Sequence, residues 1–344
     1  MTPKRGTFIN PPNRFEPIEL VREAEDESEQ TAVSTRYFRD NSRTILACNE
    51  SPDVGFRWSL NPYRGCEHGC IYCYARPTHE FFGLSSGLDF ESKIFVKTEA
   101  AQLLKAALHR PDWNGETIAI GGVTDPYQPI ERRLKITRQC LEVLLAYRNP
   151  TIIVTKNFLV TRDVDLLGEL AQFQAAGVYV SITTLDRELA GRMEPRTSVP
   201  ERRLAAIEAL SRAGVPTGVL VAPVIPGLTD HELPTILQAA RQAGAKYAGY
   251  IVLRLPHQVK TLFVDWLERH YPEKKGKVLH RIEQIRGGKL NDPRFGSRMR
   301  GEGIFAQQVA HLFTVTRKKL GYSEAGMQLS SAQFRRPGGQ LSLF

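Results

Sequence analysis

The chain has 344 residues, of which 42% are hydrophobic and 24% are charged, and it carries a formal net charge of +9. Such a chain can bury a full core, and because it has no run of eighteen apolar residues, we expect no membrane-spanning helix. Five cysteines and no signal peptide argue against a disulfide framework and predict a cytoplasmic protein. The positive charge permits a polyanionic partner.

The first fifty residues predict an N-terminal arm that is partly disordered. A proline-rich start is followed by the acidic run EAEDESE at 23–29, a composition that favours solvation over burial. After this arm we expect one core domain over 51–270, a basic extension of helices and loops over 271–336, and a flexible tail over 337–344.

The core domain alternates between β-branched apolar runs and segments with helical periodicity. This pattern predicts six strand–helix units with parallel strands and right-handed crossovers. Such an α/β chain forms either a doubly wound open sheet or a partial (β/α)6 barrel, and both place ligands at the C-terminal ends of the strands. The predicted strands lie around Arg57–Asn61 and at Thr117–Gly121, Thr151–Thr155, Val178–Thr183, Gly218–Ala222 and Tyr250–Leu253. The predicted helices lie at Glu99–His109, Leu134–Tyr147, Asp163–Ala175, Pro200–Ala213, His231–Ala243 and Lys260–Arg269.

Three cysteines stand close together directly after the first predicted strand. They are Cys66, Cys70 and Cys73 in the string NPYRGCEHGCIYCYAR, with the spacing C-x3-C-x2-C. A four-iron cluster usually takes four cysteines, so three thiolates would leave one iron open to a substrate. The alternative is a structural zinc site completed by His68, although no second C-x2-C arm follows. Of the two other cysteines, Cys140 is predicted to lie in the core.

At these residues the chain resembles the radical S-adenosylmethionine (SAM) enzymes, whose signature is C-x3-C-x-aromatic-C, here with Tyr72 as the aromatic. Over roughly 55–255 the sequence is most similar to the branch of spore photoproduct lyase and its uncharacterised relatives. The resemblance favours the partial (β/α)6 barrel. It implies a [4Fe-4S] cluster and SAM as cofactors, and a reducing partner such as flavodoxin or ferredoxin.

The chemistry that this resemblance implies is lyase-like or modifying. The reduced cluster would give one electron to SAM, which would break into methionine and a 5′-deoxyadenosyl radical. That radical would abstract a hydrogen atom from the substrate, while the protein orients the reactants and excludes solvent.

The segment GGVTDPYQPIE after the second predicted strand is the first candidate SAM contact. Gly121 and Gly122 let the backbone approach a ligand closely, and Thr124 and Asp125 supply a hydroxyl and a carboxylate. The resemblance implies that this segment binds the SAM amino group, with Asp125 facing the ammonium. A simple turn opened by T-D-P is the alternative.

Later strands carry further candidates. The resemblance implies that Lys156, at the end of the third strand, pairs with the SAM carboxylate, although a lysine there is often just solvated. Ser181 on the fourth strand points the same way as Thr183 and is placed for the SAM ribose or carboxylate. Arg196, in the string RMEPR, either forms a structural ion pair with Glu194 or contacts the cofactor or substrate.

The chain departs from spore photoproduct lyase at one position. Where that enzyme has a cysteine that returns a hydrogen atom to the product, this chain has Val123. We therefore expect a different reaction, or hydrogen return by a tyrosine, for which the candidates are Tyr72, Tyr74 and Tyr127.

The C-terminal region suggests nucleic-acid partners. From Tyr271 onward it has fourteen Lys and Arg against five Asp and Glu. Cationic side chains around Phe295 could track a phosphate backbone while the ring stacks on a base, or the same loop could cover the barrel mouth. These cations are Lys289, Arg294, Arg298 and Arg300.

The terminal QLSLF, with Gln340, Leu341, Leu343 and Phe344, resembles the peptide by which bacterial replication and repair proteins dock on the DNA sliding clamp. An apolar tail that packs on its own core is the alternative. Three functions stay open: a radical SAM enzyme in DNA repair or modification, one that acts on a peptide or small molecule, and a non-enzymatic, metal-stabilised nucleic-acid adaptor.

Overall fold

The structure, a computed structural model, describes residues 4–15 and 33–337. Its strands are β1 (Arg36–Arg39), β2 (Leu46–Cys48), β3 (Trp58–Leu60), β4 (Tyr63–Arg64), β5 (Lys93–Val96), β6 (Ile118–Ile120), β7 (Thr151–Thr155), β8 (Ala176–Ser181), β9 (Thr217–Val224) and β10 (Tyr247–Val252). Its helices are α1 (Leu88–Ser92), α2 (Ala100–His109), α3 (Glu131–Leu134), α4 (Ile136–Tyr147), α5 (Val164–Gln172), α6 (Arg187–Met193), α7 (Pro200–Arg212), α8 (Leu233–Gln242), α9 (Val259–His270), α10 (Pro272–Ile285), α11 (Ser297–Arg300) and α12 (Gly303–Lys319).

A seven-stranded sheet forms the centre of the described chain, in the order β10, β9, β8, β7, β6, β3, β2. Its strands from β3 to β10 run parallel, and β2 adds antiparallel beside β3. The parallel strands follow one another in chain order, without the reversal of a doubly wound sheet, so right-handed crossovers place their helices on one face. This order is that of the partial (β/α)6 barrel, as predicted.

A contact across the mouth shows that the sheet curves. Arg254 follows β10 at one edge of the sheet, whereas Tyr74 lies in the loop beyond β3, near the other edge. The guanidinium carbon of Arg254 nevertheless lies 5.3 Å from the centre of the Tyr74 ring. Side chains from the segments that follow the first and last parallel strands therefore meet across a mouth.

The helices of the core lie close to the predicted ranges, and one predicted helix is interrupted. The helix predicted over Leu134–Tyr147 breaks at Lys135, whose φ of 54° is left-handed, and α3 and α4 lie on either side of it. Pro200 opens α7 at its first position, where the missing N–H costs no intrahelical hydrogen bond.

A second, three-stranded sheet was not predicted. In it β1 pairs parallel with β5, and β4 pairs antiparallel with β5. All four residues of β1 are exposed and β4 has only two residues, so neither shows the apolar alternation that identifies a strand. The N-terminal arm predicted over 1–50 is thus ordered where the structure describes it, since it contributes β1 and β2. The acidic run at 23–29 lies outside the described residues.

The core lies between the seven-stranded sheet and its helices. Leu60, Ile118 and Ile153 from the sheet are fully buried, as are Leu141 and Leu237 from the helices. Burying each such side chain contributes roughly 1.5–3 kcal/mol. Cys140 is 0% exposed in this cluster, which confirms its predicted place.

The basic extension packs on the barrel rather than standing apart. α10 and α12 contact each other, and they lie against α9 and α8 respectively. Near the end of the described chain, Arg336 donates to the carbonyls of Arg110 and Trp113. The QLSLF tail lies outside the described residues. No helix in the described ranges is long and apolar enough to cross a membrane.

Candidate functional site

The three cysteines lie in a tight loop between β4 and a 3-10 helix over Arg76–Phe82. The loop turns on Gly65 and Gly69, whose φ values of 75° and 66° favour glycine. Cys66 donates its backbone N–H to the Phe90 carbonyl at 2.9 Å. Cys66 and Cys73 pack against the Phe90 ring, so the loop is seated on a buried aromatic surface.

Arg76 holds this loop from inside. It is 0% exposed, and its guanidinium donates to the carbonyls of Gly69 and Cys70 at 3.2 and 2.9 Å. Its charge is balanced by Glu91 at 2.5 Å, which is also buried. Because loss of either partner would leave a buried charge unpaired, this pair fixes the loop strongly.

The N-terminal segment closes over the same loop. Gly6 donates its backbone N–H to Glu91 at 2.9 Å. A Cβ on Gly6 would lie 1.7 Å from the Gly69 carbonyl oxygen, so only glycine fits this close approach. The predicted flexible arm therefore includes a segment that covers the cysteine loop.

Burial and hydrogen bonds act on the pKa values of the three thiols in opposite directions. Burial raises the pKa of each of the three, and the pKa values of Cys66 and Cys70 are raised further by the charge of Cys73. Hydrogen bonds from the backbone N–H groups of Asp125 and His68 lower the pKa of Cys66. Those of Ala75 and Arg76 do the same for Cys73. Peptide N–H groups aimed at sulfur are the donors that tune iron–sulfur clusters.

The same geometry argues against the zinc alternative. The ring of His68 is engaged at both nitrogens, with Asp125 at 3.4 Å and Asn157 at 3.2 Å. Among residues 4–15 and 33–337, no three His, Cys, Asp or Glu side chains gather around a point that would hold a single ion.

Asp125 links the cysteine loop to the end of β7. Its carboxylate accepts from the Tyr127 and Lys156 backbone N–H groups and from the Thr155 hydroxyl, each at 2.8 Å. Burial raises its pKa, but His68 and these donors outweigh burial, so its pKa lies below the usual value. Asp125 thus braces the site, and its role toward the SAM ammonium stays a prediction.

The two glycines before Asp125 differ in their surroundings, and their role toward SAM stays a prediction. Gly121 has a φ of 89°, and a Cβ there would lie 2.3 Å from the Val154 carbonyl oxygen. Nothing lies closer than 3.6 Å to the place of a Cβ on Gly122. Thr124 is buried and donates its hydroxyl to the Tyr63 carbonyl at 2.9 Å.

A polar group around Lys156 brings together several predicted contacts. Its ammonium donates to the Ser181 hydroxyl at 2.8 Å and the Ala222 carbonyl at 2.9 Å. It lies 5.8 Å from the centre of the Tyr72 ring and 3.3 Å from the Glu194 carboxylate. Burial lowers the pKa of Lys156 to about 7. The predicted residues Tyr72, Lys156 and Ser181 are therefore neighbours beside Cys70.

Glu194 and Arg203 complete this group. The Glu194–Arg196 ion pair, one of the two alternatives for Arg196, does not form. Glu194 binds Arg203 and accepts from the hydroxyls of Tyr72 and Thr183. Arg196 instead pairs with Glu67 of the cysteine loop at 2.9 Å. Nothing in the sequence signals Arg203, because it lies inside a regular amphipathic helix.

The three candidate tyrosines occupy different places. Tyr72 is buried in the Lys156 group. Tyr74 is 47% exposed at the mouth and donates to the Gly122 carbonyl, beside the half-exposed Val123. Tyr127 is 0% exposed, and its ring lies 5.9 Å from the Arg162 guanidinium in the core. The structure does not bring Tyr127 to the mouth.

The cationic loop of the extension is tied to the rim. Arg294 pairs with Asp292 and Glu302, and Arg298 pairs with Asp53. Arg300 donates to the Tyr250 carbonyl at 2.8 Å, and Lys289 is exposed. Three of the four predicted nucleic-acid contacts thus have partners within the chain, and their role toward nucleic acid stays a prediction.

A model of the Radical SAM superfamily matches residues 60–240. An uncharacterised protein of Mycobacterium tuberculosis is 40% identical over 232 residues, which cover 66% of this chain and 68% of that protein. An uncharacterised protein of Methanocaldococcus jannaschii is 29% identical over 225 residues, covering 65% and 80%.

Solved structures of spore photoproduct lyase share the fold. One variant with bound AdoMet and dinucleoside spore photoproduct has a TM-score of 0.59 and 16% identity, over 83% of this chain and 80% of that one. Another, complexed with dinucleoside spore photoproduct, has a TM-score of 0.58 and 18% identity over the same shares.

Proposed function

Because the chain belongs to the radical SAM superfamily and is an enzyme of that type, we propose that it holds a [4Fe-4S] cluster on Cys66, Cys70 and Cys73. We further propose that it cleaves SAM reductively and abstracts a hydrogen atom from a nucleic-acid substrate. The observation that carries the proposal is the set of three cysteines in one loop at the C-terminal rim of the barrel, with Cys66 and Cys70 buried and Cys73 half-buried. Two of them, Cys66 and Cys73, face peptide N–H donors.

The cofactor supplies the difficult chemistry: when bound, a [4Fe-4S] cluster delivers the single electron that breaks SAM. The chain supplies position and charge. Lys156 offers a cation to the SAM carboxylate, and Ser181, 2.8 Å away, offers a hydroxyl to the carboxylate or ribose. Glu194 and Arg203 hold both groups in place from below.

The nucleic-acid substrate is supported by charge and by fold. The net charge of +9 favours a polyanion. The barrel resembles that of spore photoproduct lyase, whose structures are complexed with a dinucleoside photoproduct. Gln340, Leu341, Leu343 and Phe344 would carry the enzyme to DNA by docking on the sliding clamp. A flavodoxin- or ferredoxin-type donor would reduce the cluster.

The test is SAM turnover by anaerobically reconstituted protein with dithionite. Undamaged and ultraviolet-irradiated oligonucleotides, DNA and RNA, are supplied in separate reactions, and 5′-deoxyadenosine is quantified. The proposal predicts 5′-deoxyadenosine from the loaded enzyme and a change in the mass of one class of oligonucleotide. Peptide and small-molecule pools serve as controls, and turnover confined to them would contradict the nucleic-acid substrate.

A further inference from the structure

Arg254 is a cation at the barrel mouth that the sequence reading did not identify. It stands two residues beyond β10, so it belongs to the C-terminal rim where ligands bind. Its guanidinium stacks over Tyr74, which directly follows the cluster ligand Cys73. The side chain is half-buried between the cysteine loop and the short helix α11, which carries Met299. It therefore borders the space that lies next to the proposed cluster.

The guanidinium of Arg254 has almost no partner within the described residues. One terminal nitrogen lies 3.6 Å from the Met299 sulfur, a weak acceptor, and the buried Nε atom has no hydrogen-bond partner. No carboxylate in the described ranges forms an ion pair with it. Burial and the nearby Arg298 cation lower its pKa by more than Tyr74 and the nearby Asp53 carboxylate raise it.

Other arginines around the site have stronger acceptors than Arg254 has. Arg76 and Arg203 each bind a buried carboxylate. Arg286 donates to the carbonyls of Ser297, Val252 and Leu253. Arg298 pairs with Asp53. A guanidinium whose one acceptor among the described residues is a thioether sulfur is costly to keep partly desolvated, unless a ligand supplies an anion.

We propose that Arg254 binds a phosphodiester group of the nucleic-acid substrate at the barrel mouth. The inference rests on the proposed function and adds the residue that recognises the backbone. A guanidinium can stack on an aromatic ring while its fork of donors binds a phosphate, and Tyr74 provides that ring. Arg298 is paired with Asp53, whereas Arg254 has no ion pair in the described ranges, so the phosphate contact at the mouth is assigned to Arg254.

The proposal is tested on the reconstituted holoenzyme with a fluorescein-labelled oligothymidylate of roughly ten nucleotides, a length within the usual single-strand site sizes. Anisotropy titrations over a series of KCl concentrations give the affinity and its salt slope. Calorimetry on the same preparations gives the affinity for SAM. The variants are Arg254→Met, Arg254→Lys and the control Arg212→Met, which removes an exposed cation at the end of α7, by the N-terminal ends of the strands.

Arg254→Met is expected to weaken oligonucleotide binding roughly 10- to 100-fold, the range for losing hydrogen bonds to a charged group. The substitution should also reduce the steepness with which the logarithm of the affinity falls with the logarithm of the KCl concentration. This slope should change by about 0.7, the value for one phosphate of a single strand. Arg254→Lys keeps the slope but loses part of the affinity, because a point charge replaces the fork. Arg212→Met behaves as the unmodified chain, and an oligonucleotide with an uncharged methylphosphonate backbone binds Arg254→Met and the unmodified protein equally.

Three results would overturn the proposal. They are an unchanged affinity and slope in Arg254→Met, a loss of SAM affinity in place of oligonucleotide affinity, and no binding of the oligonucleotide by the unmodified enzyme. In the second case the arginine serves the SAM carboxylate. A chain that binds the oligonucleotide through Arg254 but forms no 5′-deoxyadenosine refutes the proposed radical chemistry and leaves the phosphate contact standing.

Discussion

His68 of the cysteine loop lies 3.4 Å from the carboxylate of Asp125, which follows β6. Through this contact the loop that carries the three thiols is joined to the segment predicted to contact SAM. Asp125 also accepts from Thr155 and the Lys156 backbone, so three strand ends meet at one carboxylate. The cluster loop and the SAM contacts are therefore braced by the same residue.

This relationship predicts the effect of Asp125→Ala. SAM affinity is expected to fall at least about 10-fold, since either the ammonium partner or the brace for Lys156 is lost. The free energy of unfolding is expected to fall by about 1–3 kcal/mol, because buried donors lose their acceptor. Calorimetry with SAM and urea unfolding measure the two effects. Asp165→Ala, which removes an exposed carboxylate, is the control, and equal SAM affinity in both variants would leave Asp125 as a turn residue.

The thiols predict the cofactor content. After anaerobic reconstitution the chain should hold about four irons and four sulfides, as expected for a single [4Fe-4S] cluster. Cys66→Ala, Cys70→Ala and Cys73→Ala should each lose 5′-deoxyadenosine formation. Cys48→Ala is the matched control, because that cysteine is exposed and lies outside the loop. Stoichiometric zinc without iron would refute the assignment.

The rim predicts how the hydrogen atom returns. Val123 and Tyr74 are both exposed there, and Tyr74 contacts the residue before Val123. Val123→Ala should keep 5′-deoxyadenosine formation, since the valine has no transferable hydrogen of the thiol kind. Tyr74→Phe should lower the yield of product per 5′-deoxyadenosine if its hydroxyl returns the atom. Mass spectrometry of both products measures the ratio, and a normal ratio in Tyr74→Phe would exclude that hydroxyl.

A buried histidine beneath the cysteine loop predicts acid sensitivity. His79 lies among Phe82, Phe90 and Phe95, and burial lowers its pKa from 6.5 to about 4. The unfolded chain therefore binds more protons than the folded chain between these values, so stability falls as the pH drops from 6.5 to 4. The loss amounts to roughly 3 kcal/mol.

His79→Gln should weaken the dependence of the free energy of unfolding on pH between about pH 4 and 6.5, because glutamine does not titrate. Urea unfolding of the cluster-free protein at pH 4.5, 5.5 and 6.5 measures it. His231→Gln, at an exposed position, should keep the slope of the unmodified chain. If both variants keep that slope, His79 is not the group that titrates.

The C-terminal tail predicts a partner. A peptide covering RRPGGQLSLF should bind a bacterial sliding clamp with roughly micromolar affinity, after the cost of ordering the peptide. Changing Leu343 and Phe344 to Ala should abolish binding, because burying each of these side chains in such a pocket contributes roughly 1.5–3 kcal/mol. Calorimetry decides this, with SAM cleavage by the full chain expected to stay unchanged. Absence of binding would remove the support for clamp docking.

Local patterns in the sequence were enough to predict much of the fold. The six strand–helix units follow from the periodicity of apolar residues over short windows. Each unit is still identified when its predicted ends are wrong by a few residues. The cysteine loop follows from spacing within eight residues. The second sheet was missed, because β1 is exposed on both faces and its pairing with β5 depends on residues far away in the chain.

The sequence by itself determined that three thiols stand in one loop, because their spacing keeps them within eight residues of the chain. Only the tertiary structure decided which charges are free to act. Arg298 forms an ion pair with Asp53 and Arg196 forms one with Glu67, each across more than a hundred residues of the chain. Arg254 forms no ion pair with a carboxylate among the described residues. The reason is that an ion pair depends on which distant segments pack together, and a local sequence pattern does not specify that packing.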